Sequence, residues 1–205
     1  MFRTILYLHG IGSSGGGTTV RLLREAYPDS TIISPELPTH PARAMEFIRL
    51  LRLLRSYDAI IGTSLGGFYA MQCPDTLKIL INPAMFAAED IPRAIGFGVH
   101  DYLAKRRDGE TTYTIDADYV SALQKQQAAF FGMHFGEDYR RSTYAFFGTQ
   151  DHIVKHGEDF ARLYSSELME EAYFGHRMTE EAFHRDFLPF LEKVYAKENK
   201  SRPMP

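Results

Sequence analysis

Ala59-Ile60-Ile61-Gly62-Thr63-Ser64-Leu65-Gly66-Gly67-Phe68-Tyr69-Ala70-Met71 joins a short apolar run to a helix-compatible one through a serine set among glycines. A sharp strand-to-helix turn holds its central residue at strained backbone angles, and neighbours without Cβ let strand and helix close up around it. In that setting G-x-S-x-G forms a nucleophile elbow, which lifts the Ser64 hydroxyl out of the sheet edge. The same letters also describe a glycine-rich loop without chemistry, so the rest of the chain has to supply the partners of a nucleophile.

Outward from the elbow, short apolar runs alternate with helical patterns. Ile5 to Leu8, Thr31 to Ser34, Asp58 to Ile61, Lys78 to Ile81, Thr143 to Phe147 and Leu168 to Phe174 read as strands. Thr18 to Tyr27, Ala42 to Ser56, Leu65 to Gln72, Glu158 to Ser165 and Thr179 to Ala196 read as helices, the last with Thr179 as N-cap. This β-α alternation predicts an α/β fold: a doubly wound, mainly parallel six-stranded sheet covered on both faces, with its functional loops at the carboxyl ends of the strands. Residues 82–142 are too long for one crossover and predict a helical insertion, or cap, after the fourth strand. Phe130, Phe131, Met133 and Phe135 within it either close the core or line an acyl pocket. The polar tail Lys197 to Pro205 is expected to fray.

The 205 residues, with 44% apolar and 24% charged side chains, fit a single globular domain over 1–205. A net charge of -3 without basic clusters gives no footprint for nucleic acid or for lipid headgroups. One cysteine, Cys73, leaves no internal disulfide and no Cys-rich metal cluster. With neither a signal peptide nor a membrane-length apolar span evident, a cytoplasmic location is expected.

A serine hydroxyl needs a histidine to accept its proton and a carboxylate to hold that histidine in the right tautomer. His176 follows the last predicted strand, at the sheet edge that carries Ser64. Its rival His184 lies within the helical run Phe183 to Phe187, where a surface role is the simpler reading. Asp151 follows the strand before the histidine, in Gly148-Thr149-Gln150-Asp151, giving the order Ser, Asp, His. Alone it would be a helix-capping loop aspartate; its joint placement with Ser64 and His176 makes it the candidate orienter. His152 beside it is expected to point elsewhere. Backbone N–H groups of Leu65 and Ile11 are the candidate oxyanion donors, and His9 either orients the Gly10-Ile11 turn or is simply a buried structural histidine.

Gly10-Ile11-Gly12-Ser13-Ser14-Gly15 also matches the dinucleotide fingerprint G-x-G-x-x-G, with Glu36 placed to meet a ribose. Pro35, Pro38 and His9 fit a hydrolase loop better.

Leu8-His9-Gly10-Ile11-Gly12-Ser13-Ser14, Gly62 to Gly67, Ile81-Asn82-Pro83-Ala84, Gly148 to Asp151 and Gly175-His176 together resemble the small bacterial α/β-hydrolases of the YqiA-like esterase family. The resemblance spans nearly the whole chain and departs from the family pattern at Ile11, Gly15 to Gly17 and the residues around His176. It implies a compact α/β-hydrolase that cleaves short acyl esters, and also thioesters, with Ser64, Asp151 and His176 as its triad. A small-molecule ester or thioester is then the partner, with no metal or organic cofactor. A catalytically silent scaffold that binds a ligand or protein through 82–142 is the alternative from another class.

Overall fold

A computed structural model describes residues 2–201. Six strands form one parallel sheet: β1 (Thr4–Leu8), β2 (Thr31–Ile33), β3 (Ala59–Thr63), β4 (Leu77–Ile81), β7 (Thr143–Gly148) and β8 (Met169–Ala172), in the order β2-β1-β3-β4-β7-β8. β4 and β7 are buried along their whole length, and β1 and β3 all but Thr4 and Thr63, as a sheet covered on both faces requires; even Lys78 on β4 is fully enclosed.

The chain leaves β1 through α1 (Thr18–Ala26) to reach β2, then returns over β1 through α2 (Pro41–Leu54) to reach β3. Right-handed crossovers in opposite directions put α1 and α2 on opposite faces. The reversal opens a crevice between the carboxyl ends of β1 and β3, the topological switch point where sheets of this kind bind ligands. Register sets the two ends level: Leu8 pairs with Gly62, so Gly10 comes abreast of Ser64.

α3 (Leu65–Met71) follows β3 at once, and its residues are all buried. Glycine is needed where helix and strand meet: a Cβ on Gly66 would stand 2.0 Å from the Leu8 carbonyl oxygen, and one on Gly62 2.4 Å from that of Gly66. Cys73 lies buried just beyond this helix.

Residues 82–142 are not purely helical. Between α4 (Ala87–Ile95) and α5 (Ala117–Phe131) they form an antiparallel hairpin of β5 (Gly98–Asp101) and β6 (Thr112–Ile115), and α6 (Glu137–Arg141) follows. Positive φ at Gly96 and Gly98 ends α4 and turns the chain into β5, while β6 alternates exposed Thr with buried Tyr113 and Ile115, a strand period inside a stretch expected to be helical. Phe130 is buried, with Phe131 and Phe135 packed against the core, so this aromatic group closes the core; Met133 is exposed.

α7 (Gly157–Leu163) precedes β8, and the last helical segment is broken in character. Thr179 Oγ1 accepts from Ala182 N–H and caps α8 (Glu180–Ala182), a π-helical turn spans Phe183–Phe187, and α9 (Leu188–Ser201) continues from it. Phe183 and Phe187 of the π turn and Phe190 of α9 are buried in the core, with Phe187 and Phe190 beside Phe146. Lys197 to Ser201 belong to α9 rather than to a frayed tail, and 202–205 lie outside the described residues. Among the described residues no helix is long and apolar enough to cross a membrane.

Candidate active site

Ser64 sits between β3 and α3 at φ 54° and ψ −118°, a conformation that costs a residue with a Cβ about 1–3 kcal/mol. The surroundings hold it there: its N–H donates to the Ile81 carbonyl at 3.0 Å, and its carbonyl accepts from Gly67, Phe68 and Ala84. Gly10 leaves the hydroxyl accessible, since a Cβ there would stand 3.1 Å from Ser64 Cβ and 3.7 Å from Oγ.

His176 Nε2 lies 3.1 Å from Ser64 Oγ, and His176 Nδ1 lies 2.7 Å from Asp151 Oδ2. An ionised carboxylate only accepts, so Nδ1 carries the proton and donates to Asp151, leaving Nε2 free to accept from the serine. The other oxygen of Asp151 accepts from Ile153 N–H at 2.7 Å and Val154 N–H at 3.0 Å. Burial pushes the Asp151 carboxyl up, but the hydrogen bond and charge of His176 together with those N–H donors outweigh it and hold the group below the ordinary carboxylate range. Asp151 is thus a buried, fully engaged anion facing one nitrogen of His176. His152 and His184 are exposed and stand outside this chain of bonds.

The turn after β1 is fixed by a second histidine. His9 Nε2 accepts from Leu37 N–H at 3.1 Å, which leaves Nδ1 to donate to the Gly10 carbonyl at 2.9 Å. Burial lowers the His9 pKa, more than its bond to Gly10 raises it, so the ring stays neutral. A trans peptide points its C=O and N–H in opposite directions, and the Gly10 carbonyl is held by His9 and Ser13, so the Ile11 N–H is aimed away from them. Leu65, as the first residue of α3, has no acceptor for its N–H within the helix. His9 is therefore both buried and the residue that sets this turn.

A cleft of about 670 Å³ opens over Ser64 and His176, within the size range of small-molecule sites. Ile91 and Ile95 of α4, Leu103 in the loop between β5 and β6, Ile153, Val154 and Met178 supply its apolar wall. The residues expected at the site thus converge on one crevice from the ends of β1, β3, β7 and β8. Among the described residues no group of three or more His, Cys, Asp or Glu is placed to hold a metal ion. The Glu36 carboxylate of the dinucleotide fingerprint is engaged inside the protein, accepting from Gly15 N–H at 3.0 Å and from Arg107 Nε at 2.9 Å.

Two features lay beyond the sequence reading. Asn82, fully buried at the end of β4, donates from Nδ2 to the carbonyls of Gly175 and His176 and accepts at Oδ1 from Gly148 N–H. His156 sits between Asp90 of α4, 2.7 Å from Nε2, and Asp159 of α7, 3.2 Å from Nδ1. Asn82 at a strand end next to Pro83 was the one available hint.

A family model described as an uncharacterised protein family, UPF0227, matches residues 4–185. Among solved structures, mouse alpha/beta hydrolase domain-containing protein 10 superposes with TM-score 0.65 at 13% identity, over 95% of this chain and 90% of that one. A putative hydrolase from Agrobacterium vitis S4 gives 0.64 at 14% identity, over 93% and 87%. The monoacylglycerol lipase of Paleococcus ferrophilus gives 0.61 at 14% identity, over 93% and 94%. At such identities the likeness establishes the fold, which is that of the α/β-hydrolases.

Proposed function

The chain belongs to UPF0227, an uncharacterised protein family, and from that premise and the site geometry we propose that it is a serine hydrolase cleaving small carboxylic esters or thioesters. Ser64 Oγ attacks the acyl carbon while His176 Nε2 takes its proton. The tetrahedral intermediate collapses, the bond to the alcohol or thiol breaks, and His176 returns the proton to that leaving group. Water then attacks the acyl-enzyme with His176 again as base, releasing the acid and restoring the serine hydroxyl. Asp151 keeps the imidazole in the tautomer that accepts at Nε2. The N–H groups of Leu65 and Ile11 receive the negative charge on the carbonyl oxygen, a donor of this kind being worth about 3 kcal/mol in the transition state.

The observation that carries the reading is the unbroken chain Ser64 to His176 to Asp151, at 3.1 Å and 2.7 Å, built on a strained serine at the edge of an apolar cleft. The names of structures that share the fold, a lipase and a putative hydrolase among them, agree with it. A lone buried Cys73 suits a reducing, cytoplasmic setting. The test is covalent labelling with a fluorophosphonate alongside hydrolysis of p-nitrophenyl esters: the intact protein should label and turn over, and Ser64→Ala should do neither while keeping its fold. Labelling of Ser64→Ala at the original rate would refute the assignment.

A further inference from the structure

Beside the cleft lies a second, much smaller cavity of about 20 Å³. The two adjoin at the turn after β1, since Gly10 and Ile11 belong to both linings. Tyr69 of α3, Tyr119 of α5 and Arg106, which follows the hairpin strand β5, also line it. Each of these three is more than nine-tenths buried, and Tyr69 Oη, Tyr119 Oη and Arg106 Nη1 find no hydrogen-bond partner among the described residues. The rest of the Arg106 guanidinium is engaged: Nε and Nη2 donate to Asp108, and Nη2 also donates to the Leu37 carbonyl. Nη1 has only the Glu36 carboxylate, at 3.7 Å, beyond hydrogen-bond reach.

A buried donor left without an acceptor is costly, and three around one cavity mark a place built for an acceptor oxygen. Charge narrows the choice. Arg106 and Arg107 are balanced by Glu36 and Asp108, so the cluster is already neutral and a further carboxylate would leave it one negative charge in excess. A neutral ether, keto or hydroxyl oxygen has two lone pairs and accepts from two of these donors without that penalty, and the space admits little more than such a group.

The lining also gives the direction of approach. It leaves out both Ser64 and His176 but includes Ile11 and Leu65, the proposed oxyanion donors, so a substrate chain reaches it past the carbonyl oxygen, away from His176, beside which the leaving group must lie to receive its proton. The cavity therefore serves the acyl side. Resting on the hydrolase reading above, we propose that Tyr69, Tyr119 and Arg106 form an acyl subsite selecting esters whose acyl chain carries a neutral acceptor oxygen a few atoms from the carbonyl.

The test compares p-nitrophenyl pentanoate, ethoxyacetate and 3-methoxypropionate, equal in chain length, with the acyl oxygen absent or in one of two positions. The kcat/KM ratio of each ether ester to pentanoate is measured for the intact protein, Tyr119→Phe, Tyr69→Phe and, as control, Tyr27→Phe, whose hydroxyl is buried and unpartnered elsewhere. Dividing by the variant's ratio cancels the intrinsic reactivity of each ester. The ratio for at least one ether ester should fall about five- to tenfold in Tyr119→Phe or Tyr69→Phe, with the Tyr27→Phe ratio unchanged. Ratios equal across all four proteins would mean that the cavity holds water only and would overturn the subsite while leaving the hydrolase standing. No turnover of any ester by the intact protein would overturn both.

Discussion

Asn82 holds the main chain of His176 from below, its Nδ2 donating to the His176 carbonyl oxygen at 3.2 Å. The same amide reaches Gly175 and, through Oδ1, the end of β7 at Gly148, so one buried side chain joins the strand that leads to Asp151 with the loop that carries its partner. β4 thus sets the distance between imidazole and carboxylate although it contributes no reacting group.

Truncating that link should show in catalysis as well as stability. Asn82→Ala is expected to cost about 1–3 kcal/mol of stability, through unpaired groups at Gly148, Gly175 and His176. It should also lower kcat about 10–100-fold with KM little changed, because the imidazole loses its alignment rather than the substrate its cleft. Asn82 has a φ of 42°, so Asn82→Gly serves as the companion that removes the side chain without backbone strain. Both variants should lose kcat alike. Full activity in either would mean that the loop holds His176 without Asn82.

The carboxylate makes a separate prediction about pH. Asp151 is held below the ordinary carboxylate range by His176 and the Ile153 and Val154 N–H groups. The acid limb of kcat/KM should therefore follow a single proton, with no second one from Asp151. Asp151→Asn should lower kcat about 10⁴-fold, because an amide can donate to Nδ1 and so favours the wrong tautomer. A limb of two-proton slope would show that the carboxylate titrates in the working range.

Much of this architecture was legible because the signals are local. A β-branched run followed by G-x-S-x-G specifies strand, turn and helix within a dozen residues, and the two chain segments ending at Asp151 and His176 carry the same β-α period. The β5–β6 hairpin was hidden because its first strand, Gly98 to Asp101, is short and exposed, and its register comes from pairing across a long loop. Asn82 and the Asp90–His156 pair were hidden for a related reason: each acts between segments 66 or more residues apart, and sequence spacing carries no trace of such a contact. The π turn at Phe183–Phe187 preserves helical spacing on either side and so reads as ordinary helix.

The Asp90–His156 pair predicts a pH-dependent stability. Burial lowers the His156 pKa, but the hydrogen bonds and charges of Asp90 and Asp159 outweigh it and raise the pKa above its ordinary 6.5. Arg93, 2.6 Å from the other oxygen of Asp90, and Arg162, 3.7 Å from Asp159, are the cations facing those two carboxylates. A raised folded pKa means stability fully present below pH 6.5 and lost as pH rises through the folded value. Thermal unfolding should show that loss in the intact protein and not in His156→Gln, which should be destabilised by about 1–3 kcal/mol at pH 6. Parallel Tm-against-pH curves for the two would rule the pair out as the titrating element.

Lys78 titrates with the opposite consequence. Its ammonium is buried with no carboxylate within ion-pair distance among the described residues, donating to the carbonyls of Cys73 and Thr76 and to Ser142 Oγ, with the Tyr139 ring 4.2 Å away. Burial pulls its pKa from 10.5 down to about 8. Between those values the unfolded chain binds a proton that the folded one does not, so this site stabilises the protein as pH rises through the window. A depression of this size corresponds to about 3 kcal/mol. Lys78→Met removes the buried charge at similar length and should be the more stable protein at pH 7. Its advantage over the intact chain should shrink towards pH 10, below the Cys73 thiol, whose pKa burial raises to about 11. If urea unfolding gave an advantage that stayed constant from pH 7 to pH 10, the buried ammonium would not be shedding its proton, and its three acceptors would have to be holding the charge at its ordinary strength.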